Sequence, residues 1–313
     1  LAVDLNLQVD AGTVALAHDS AARAAEPAGE RQLAELRRLL ASPDPLRGLE
    51  LLDELRLTAV VLPELEGTKG VQQGPNHHRD VHGHTLEVLE HTLEIEANLP
   101  RFVGEERGDE AVALLAEPLA DEMDRAVGLR FGALFHDIAK PMTRAERDGF
   151  VGFKGHDVEG VTTIGEIMGR LRASRKLTRH LQALTLHHLR LGFLIPEAPL
   201  PPRRIHAYLR VTEPVTVDVT LLTVADRLSA RGAGPIARPE MVEAHLSLAR
   251  EMIAAALDWR RDGPPEPLLR GDEIAAELGI EGPEIGAKLA ELEAAQYAGE
   301  VTDRAQALGL LRG

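Results

Sequence analysis

Leucine recurs at helical spacing through most of this chain, and glycine or proline interrupts each apolar run. Segment 30–42, for example, carries Leu33, Leu36 and Leu40 three or four residues apart, and prolines separate it from a similar segment at 46–57. Apolar residues at this spacing form a single buried stripe along a helix. The pattern predicts an all-α protein, with further helices at 81–99, 158–172, 175–190 and 240–260.

Two segments depart from this pattern. The run at 214–232 begins with valines that alternate as in a strand, but its apolar residues also fit a helix. We predict a helix there because the surrounding segments are helical. The glycine-containing tract 141–157 is predicted to be a loop, with a short hairpin around residues 150–153.

A length of 313 residues is enough for about two domains with sizeable cores. The distribution of proline and glycine suggests an N-terminal helical arm at 1–67, a central helical bundle at 68–232 and a carboxyl-terminal helical domain at 233–313. No apolar run approaches the roughly 20 residues that span a bilayer. We therefore expect a soluble, cytoplasmic protein that does not bind membranes, and we make no prediction of its oligomeric state.

Charge is unevenly distributed in this chain, whose net charge is −15. Segment 167–196 contains no Asp or Glu but holds the basic residues Arg170, Arg172, Arg175, Lys176, Arg179 and Arg190. A local basic surface on an acidic protein suits a substrate that carries phosphate. We predict that the last four of these residues bind phosphate, while an ordinary solvated helix face remains an open alternative.

The stretch RFGALFHDIAKP at 130–141 ends an apolar helical run with His136 and Asp137 side by side. Burying two polar groups at the end of such a helix is costly unless something binds them. Lys140 follows one helical turn after His136. The alternative is a helix end that exposes its polar pair to solvent.

Any metal ligands in this chain must be His, Asp or Glu, because its sequence contains no cysteine. Several of the 13 histidines stand at helix ends, in a glycine-flanked loop or beside carboxylates. Asp226 interrupts the apolar run LLTVADRL, where a buried, unpaired carboxylate would be destabilising. The candidate ligands are His84, His136, Asp137, His156, His187, His188 and Asp226.

Each candidate has an ordinary explanation by itself, as a surface, loop or capping residue. Together they offer imidazole and carboxylate ligands for one or two divalent ions, among Mg, Mn, Fe, Co, Ni and Zn. Asp137 is the carboxylate best placed to bridge two ions, and Lys140 could meet a phosphate as a point charge. We interpret His77, His78 and His91 as structural residues or as supports for the ligands.

The strings DVHGHTLEVLEH, FHDIAKP, GHDVEG, LHHLRL and ADRLSARG follow one another within residues 75–232. In this order they resemble the HD-domain superfamily of metal-dependent phosphohydrolases, and most closely the HD region of bacterial tRNA nucleotidyltransferases, the CCA-adding and poly(A) polymerase group. The flanks resemble that group too. LAVDL is similar to the end of its catalytic head, RQLAELRRLLASPDPLRGLELLDEL to its helical body, and LLRGDEIAAELGIEGPEIGAKLAELEAAQ to its carboxyl-terminal segment.

This resemblance implies an HD domain at 68–232 that acts on phosphate esters, including 2′,3′-cyclic and nucleotide monophosphates. Ala139 replaces the glycine that usually precedes the motif lysine. Neither the Gly-Ser followed by paired acids nor the arginine-rich helix of the nucleotidyltransferase head is found, so we do not expect this chain alone to add nucleotides. The implied ligands are His84, His136, Asp137 and Asp226, with His156, His187 and, less directly, His188 added in two-metal members.

Our principal hypothesis is a metal-dependent phosphohydrolase that cleaves a nucleotide or an RNA-end phosphate ester, such as a 2′,3′-cyclic phosphate, with a metal-activated water. Asp137 and Lys140 would be its catalytic residues. An alternative is the headless part of a tRNA nucleotidyltransferase, serving in tRNA 3′-end processing as an RNA-binding helical scaffold. A further alternative is a metal-stabilised bundle without turnover.

Overall fold

Helices make up nearly all the regular structure in a computed structural model that describes residues 2–312. The all-α prediction is confirmed, because the strands among these residues form only two short antiparallel hairpins. The amino-terminal helices are α1 (Ala11–Ser20), α2 (Gly29–Leu40), α3 (Pro45–Glu54), α4 (Thr58–Val61) and α5 (Pro63–Glu66). The carboxyl-terminal helices are α16 (Pro239–Asp262), α17 (Gly271–Leu278), α18 (Pro283–Tyr297) and α19 (Arg304–Arg312).

The central region contains the remaining helices and both hairpins. Its first half consists of α6 (Val81–Ala97), α7 (Leu99–Val103), α8 (Gly108–Leu115), β1 (Pro118–Ala120), β2 (Met123–Asp124) and α9 (Arg125–Phe135). Its second half consists of α10 (Lys140–Thr143), β3 (Ala145–Arg147), β4 (Phe150–Gly152), α11 (His156–Arg170), α12 (Arg175–His187), α13 (Arg190–Leu194), α14 (Pro202–Thr212) and α15 (Thr216–Ser229).

The helices predicted from leucine spacing are confirmed to within a few residues. The ambiguous run at 214–232 forms helix α15, as predicted, and a hairpin is found where one was expected, with β3 paired to β4. Helix α1 lies within residues 1–27, where the sequence shows only weak helical periodicity. The reason is that none of its residues is buried, so its sequence carries no apolar stripe.

A single continuous hydrophobic core runs from the arm to α16 and is centred on α9. The rings of Phe131 and Phe135 on α9 are completely buried within it. The arm is also joined to α11 by ion pairs, because Arg170 lies 2.6 Å from Glu64. A smaller, separate core lies within 269–311. The three domain boundaries stay predictions.

Helix α16 packs against α15 in the main core, and α18 contacts the central region through α14. His206 of α14 lies 2.8 Å from Glu293 of α18, and Arg203 lies 2.6 Å from Glu300. The longest helix, α16, has 24 residues. Across residues 2–312, no helix is both long enough and apolar enough to cross a bilayer.

Candidate metal centre

Five helices bring the candidate ligands together at the centre of the bundle. Asp80 caps α6 by accepting a hydrogen bond from the Gly83 N–H at 2.8 Å, which fixes the turn that carries His84. Helix α9 ends at Phe135 with His136 as its C-cap, so Asp137 follows the helix at a buried position. Helices α6 and α9 both pack against α15, which carries Asp226.

The ligands form two groups. His84, His136 and Asp226 each offer an atom within 4.8 Å of the other two, and Asp137, His156 and His188 do the same. Their shared chemistry is neutral imidazole and carboxylate, which is the donor set of borderline divalent ions.

Asp137 lies between the two groups, and each of its oxygens faces one of them. Its Oδ2 lies 3.2 Å from His136 Nε2 and 3.6 Å from His84 Nε2. Its Oδ1 lies 3.2 Å from His156 Nε2 and 3.7 Å from His188 Nε2. This is the arrangement that a carboxylate bridging two ions requires. The metal-binding roles themselves stay predictions.

Three of the histidines are oriented in the same way. In each, Nδ1–H donates to a carbonyl three residues earlier in the chain: His136 to Ala133 at 2.8 Å, His156 to Phe153 at 2.7 Å and His188 to Thr185 at 2.6 Å. This bond fixes the tautomer and leaves the Nε2 lone pair available, as in most histidines that bind metals.

The structure places the two adjacent histidines at the end of α12 differently. The resemblance gave His187 precedence, but His188 lies in the cluster and His187 lies outside it. Successive helical residues point about 100° apart, so only one of the two can face the centre. His187 is instead half-buried, with Arg190 and Asp157 as its charged neighbours.

Burial leaves the cluster with unsatisfied polar atoms. His84 Nε2, His136 Nε2 and both oxygens of Asp137 are buried without a hydrogen bond of good geometry. Their close contacts are with other charged or titratable groups: Asp226 Oδ1 lies 3.1 Å from His84 Nε2, and Lys140 Nζ lies 2.5 Å from Asp137 Oδ2. Buried polar atoms without partners are rare and costly in folded proteins, whereas a bound cation would satisfy all of these at once. The residues therefore fit divalent metal ions.

The protonation states of the candidate ligands also fit a site for divalent metal ions. Burial lowers the pKa of His84, and it lowers the pKa of His188 to about 4, so both imidazoles are neutral at physiological pH. Burial alone would raise the pKa of Asp137. The charges of His136 and Lys140 outweigh it and hold that pKa well below its usual value, so the carboxylate is ionised. Asp137 in turn outweighs burial at His136 and raises the pKa of that imidazole, so without metal the two residues form a charged pair. A bound cation would replace the proton on His136 Nε2.

Lys140 lies at the edge of the cluster. Its Nζ is 2.5 Å from Asp137 Oδ2 and donates to Gln73 Oε1 at 2.7 Å. Its predicted contact with a substrate phosphate stays a prediction.

The other predicted phosphate-binding residues are mostly far from the cluster. Arg175, Lys176 and Arg179 are exposed at the start of α12, between about 12 and 18 Å along the helix axis from its histidine end. They do not lie beside Lys140, because the length of α12 separates its first turn from its histidine end, which is the end at the cluster. Only Arg190, two residues after His188, is near.

The loop before α6 contributes a residue that sequence reasoning did not place among the ligands. The ring of His77 lies 4.5 Å from that of His84, and burial lowers the pKa of His77 to about 3. The loop is held by the Gly232 N–H, which donates to the Asn76 carbonyl at 2.9 Å. A Cβ at Gly232 would lie 2.2 Å from the carbonyl oxygen of Pro75, so only glycine allows this approach. In the sequence, the glycines within 67–79 and at 232 and 234 were the signal that could have indicated this close approach of two backbone segments.

Comparison with known families gives two matches. Residues 81–231 match the HD domain, and residues 6–68 match the family described as the probable RNA and SrmB-binding site of polymerase A. The resemblance predicted from the sequence is thereby confirmed.

Curated relatives extend the similarity over most of the chain. It is 34% identical over 279 residues to the A-adding tRNA nucleotidyltransferase of Deinococcus radiodurans, which covers 88% of this chain and 56% of that protein. It is 32% identical over 290 residues to the CC-adding tRNA nucleotidyltransferase of Thermus thermophilus, covering 91% of this chain and 56% of that protein. A multifunctional CCA protein of Halorhodospira halophila is 32% identical over 148 residues, which are 47% of this chain and 28% of that protein. The chain thus spans about half the length of the first two relatives.

Proposed function

We propose, from the match of residues 81–231 to the HD domain and of residues 6–68 to the probable RNA and SrmB-binding site of polymerase A, that this chain is the tRNA-binding helical part of a tRNA nucleotidyltransferase. Its role would be to hold tRNA during processing of the 3′ end. The observation that carries this proposal is the similarity to A-adding and CC-adding enzymes, which runs through arm, HD domain and carboxyl-terminal helices.

The basic start of α12 supports RNA binding. Among residues 2–312, Arg175, Lys176 and Arg179 form no hydrogen bond or ion pair that would neutralise them. They lie next to the arm, because Arg172 pairs with Glu30 of α2 at 3.3 Å. Exposed cations of this kind bind the phosphate backbone of nucleic acids.

The test is binding of the full chain to tRNA that lacks its terminal CCA, measured at several salt concentrations. We expect the affinity to fall steeply with salt, because phosphate contacts release counterions. Binding should survive Asp137→Asn, because the metal cluster is distant from the basic surface. An affinity for tRNA no higher than for an unrelated hairpin of equal length would refute the proposal.

The Asp137 cluster favours a second function, metal-dependent hydrolysis of a phosphate ester. A bound divalent ion would supply a Lewis acid that activates water and polarises a phosphoryl oxygen. His84, His136 and Asp226 would hold one ion, and His156 and His188 a second. Asp137 would orient both groups through its two oxygens, and Lys140 would place its ammonium against the substrate phosphate.

This second function is tested with bis-p-nitrophenyl phosphate and 2′,3′-cyclic nucleotides in the presence of Mn, Ni, Co or Mg. We expect turnover that Asp137→Asn abolishes. Metal content is measured on the same samples. A protein that binds metal but turns over neither substrate would refute hydrolysis while leaving tRNA binding untouched.

A further inference from the structure

Several exposed apolar side chains lie on elements that carry or adjoin the metal centre. Nine large hydrophobic residues are exposed in the part of the chain that the structure describes, and four of them belong to elements that carry or adjoin the cluster. These four are Met142 on α10, Phe150 on β4, Val158 on α11 and Phe193 on α13, with 58%, 73%, 62% and 72% of their surfaces exposed.

The β3–β4 hairpin is attached to the cluster at its base and free at its tip. The carbonyl of Phe153 holds Nδ1 of His156, and the ring of Phe153 lies 5.3 Å from Nζ of Lys140. On its other side, a Cβ at Gly74 would lie 3.4 Å from the carbonyl oxygen of Val151, so the hairpin also contacts the loop that holds Gln73. Phe150 at the tip is covered by none of these contacts.

Helix α13 lies on the other side of His188. A Cβ at Gly192 would lie 3.5 Å from Nη2 of Arg227, the residue that follows the ligand Asp226. Phe193 follows the ligand candidate His188 by five residues, on the short helix that continues from it, and is largely exposed.

Positive charges accompany the two phenylalanines. Arg147 and Lys154 flank Phe150 on the hairpin, and Arg190 lies one turn before Phe193. None of the three forms an ion pair or hydrogen bond among residues 2–312. The hairpin also carries Glu146, which pairs with Arg144, and Asp148 in its turn. Apolar and charged residues therefore alternate on these elements, which we call the rim, unlike the continuous apolar patch expected of a protein-docking surface.

Aromatic faces combined with free cations are what proteins use to bind single-stranded nucleic acid, because every base has a face that can stack. We propose that Phe150 and Phe193 stack on the unpaired nucleotides at the 3′ end of an RNA, and that this end enters the Asp137 cluster. The inference rests on the proposed RNA binding, and it names the part of the RNA that the cluster receives.

The experiment uses a short single-stranded RNA with a free 3′-hydroxyl and 2-aminopurine as its last base. Stacking quenches 2-aminopurine, so the fluorescence should fall when the wild-type protein is added. Phe150→Ala should abolish the quenching and raise the Kd about tenfold, the order expected for one lost base–aromatic stack. Phe150→Trp should keep both, and Phe193→Ala should weaken binding independently.

Val112→Ala is the matched control, because Val112 is 52% exposed on α8 and belongs to no element of the rim. It should bind like the wild type. Melting temperatures of all variants should be similar, because the replaced side chains are exposed.

The outcomes separate this inference from the proposed functions. Unchanged Kd and quenching in Phe150→Ala would overturn it, as would a wild-type protein that binds whole tRNA but does not quench the oligonucleotide. Lost quenching in Phe150→Ala would support it even if bis-p-nitrophenyl phosphate is never hydrolysed, because the assay needs no turnover.

Discussion

The two ends of helix α12 differ in almost every physical respect. At the carboxyl end, His188 is 2% exposed and is held by the Thr185 carbonyl among other metal-ligand candidates. At the amino end, Arg175, Lys176 and Arg179 are exposed and have no ion-pair partner among residues 2–312. One end is suited to a cation and the other to an anion, at a separation of about 18 Å. Metal binding and RNA-backbone binding should therefore be separable by mutation.

The largest effect should come from replacing the two adjacent histidines, His187 and His188, one at a time. We expect His188→Ala to weaken metal binding by more than about 100-fold, because loss of a ligand exceeds the 10–100-fold typical of losing a residue that supports one. His187→Ala is the matched control and should retain metal, because its ring lies outside the cluster. Metal content and the metal-dependent rise in melting temperature measure both variants. Equal losses in the two variants would contradict the assignment.

The buried end of α12 should also be sensitive to pH. When a chelator has removed any metal, burial lowers the pKa of His188 in the folded protein to about 4. In the unfolded chain the pKa of His188 has its ordinary value of 6.5. The unfolded state therefore binds the proton first as pH falls, so stability is lost between pH 6.5 and 4. The free energy of unfolding should fall by about 1.4 kcal/mol per pH unit for this one group.

Urea denaturation across this pH range measures the effect. His188→Gln should reduce the slope, whereas Arg175→Gln at the exposed end should leave it unchanged. A slope that does not depend on His188 would count against its burial as a neutral imidazole.

At the amino end, replacing Arg175, Lys176 and Arg179 together with glutamine should weaken tRNA binding about tenfold and reduce the salt slope by about one unit for each lost phosphate contact. Hydrolysis of bis-p-nitrophenyl phosphate should not change. Binding is measured by filter retention against a control triple variant of Arg250, Arg260 and Arg261, whose guanidinium groups already pair with carboxylates on or near α16. If both triple variants lose affinity equally, net charge rather than this surface carries the binding.

The smallest effect belongs to a basic residue of the same stretch that does have a partner. Arg172 and Glu30 lie 3.3 Å apart, with 67% and 54% of their side-chain surfaces exposed. Exposed pairs of this kind contribute little, so Arg172→Ala should change the free energy of unfolding by less than about 0.5 kcal/mol. A loss of several kcal/mol in urea denaturation would show that this contact holds the arm in place.

Much of the fold could be predicted because local spacing encodes it. Leu33, Leu36 and Leu40 mark the buried face of α2, and Asp80 marks the start of α6. The run at 214–232 was ambiguous because α15 is buried on nearly all sides, so its sequence shows no polar face to set the period. The bounds of helix α1 could not be predicted for the opposite reason, since it buries none of its residues and shows no apolar stripe.

The sequence by itself determined the kind of chemistry. Without cysteine, only histidine and carboxylates can serve as metal ligands, and the His136-Asp137 pair is adjacent in the chain whatever the fold. The tertiary structure alone decided which side chains meet. It selected His188 over His187, directed the two oxygens of Asp137 to different groups, and separated Arg175 from the cluster by the length of α12. The physical reason is that helical periodicity fixes which face of a helix is buried, whereas the contacts of that face depend on the other helices packed against it.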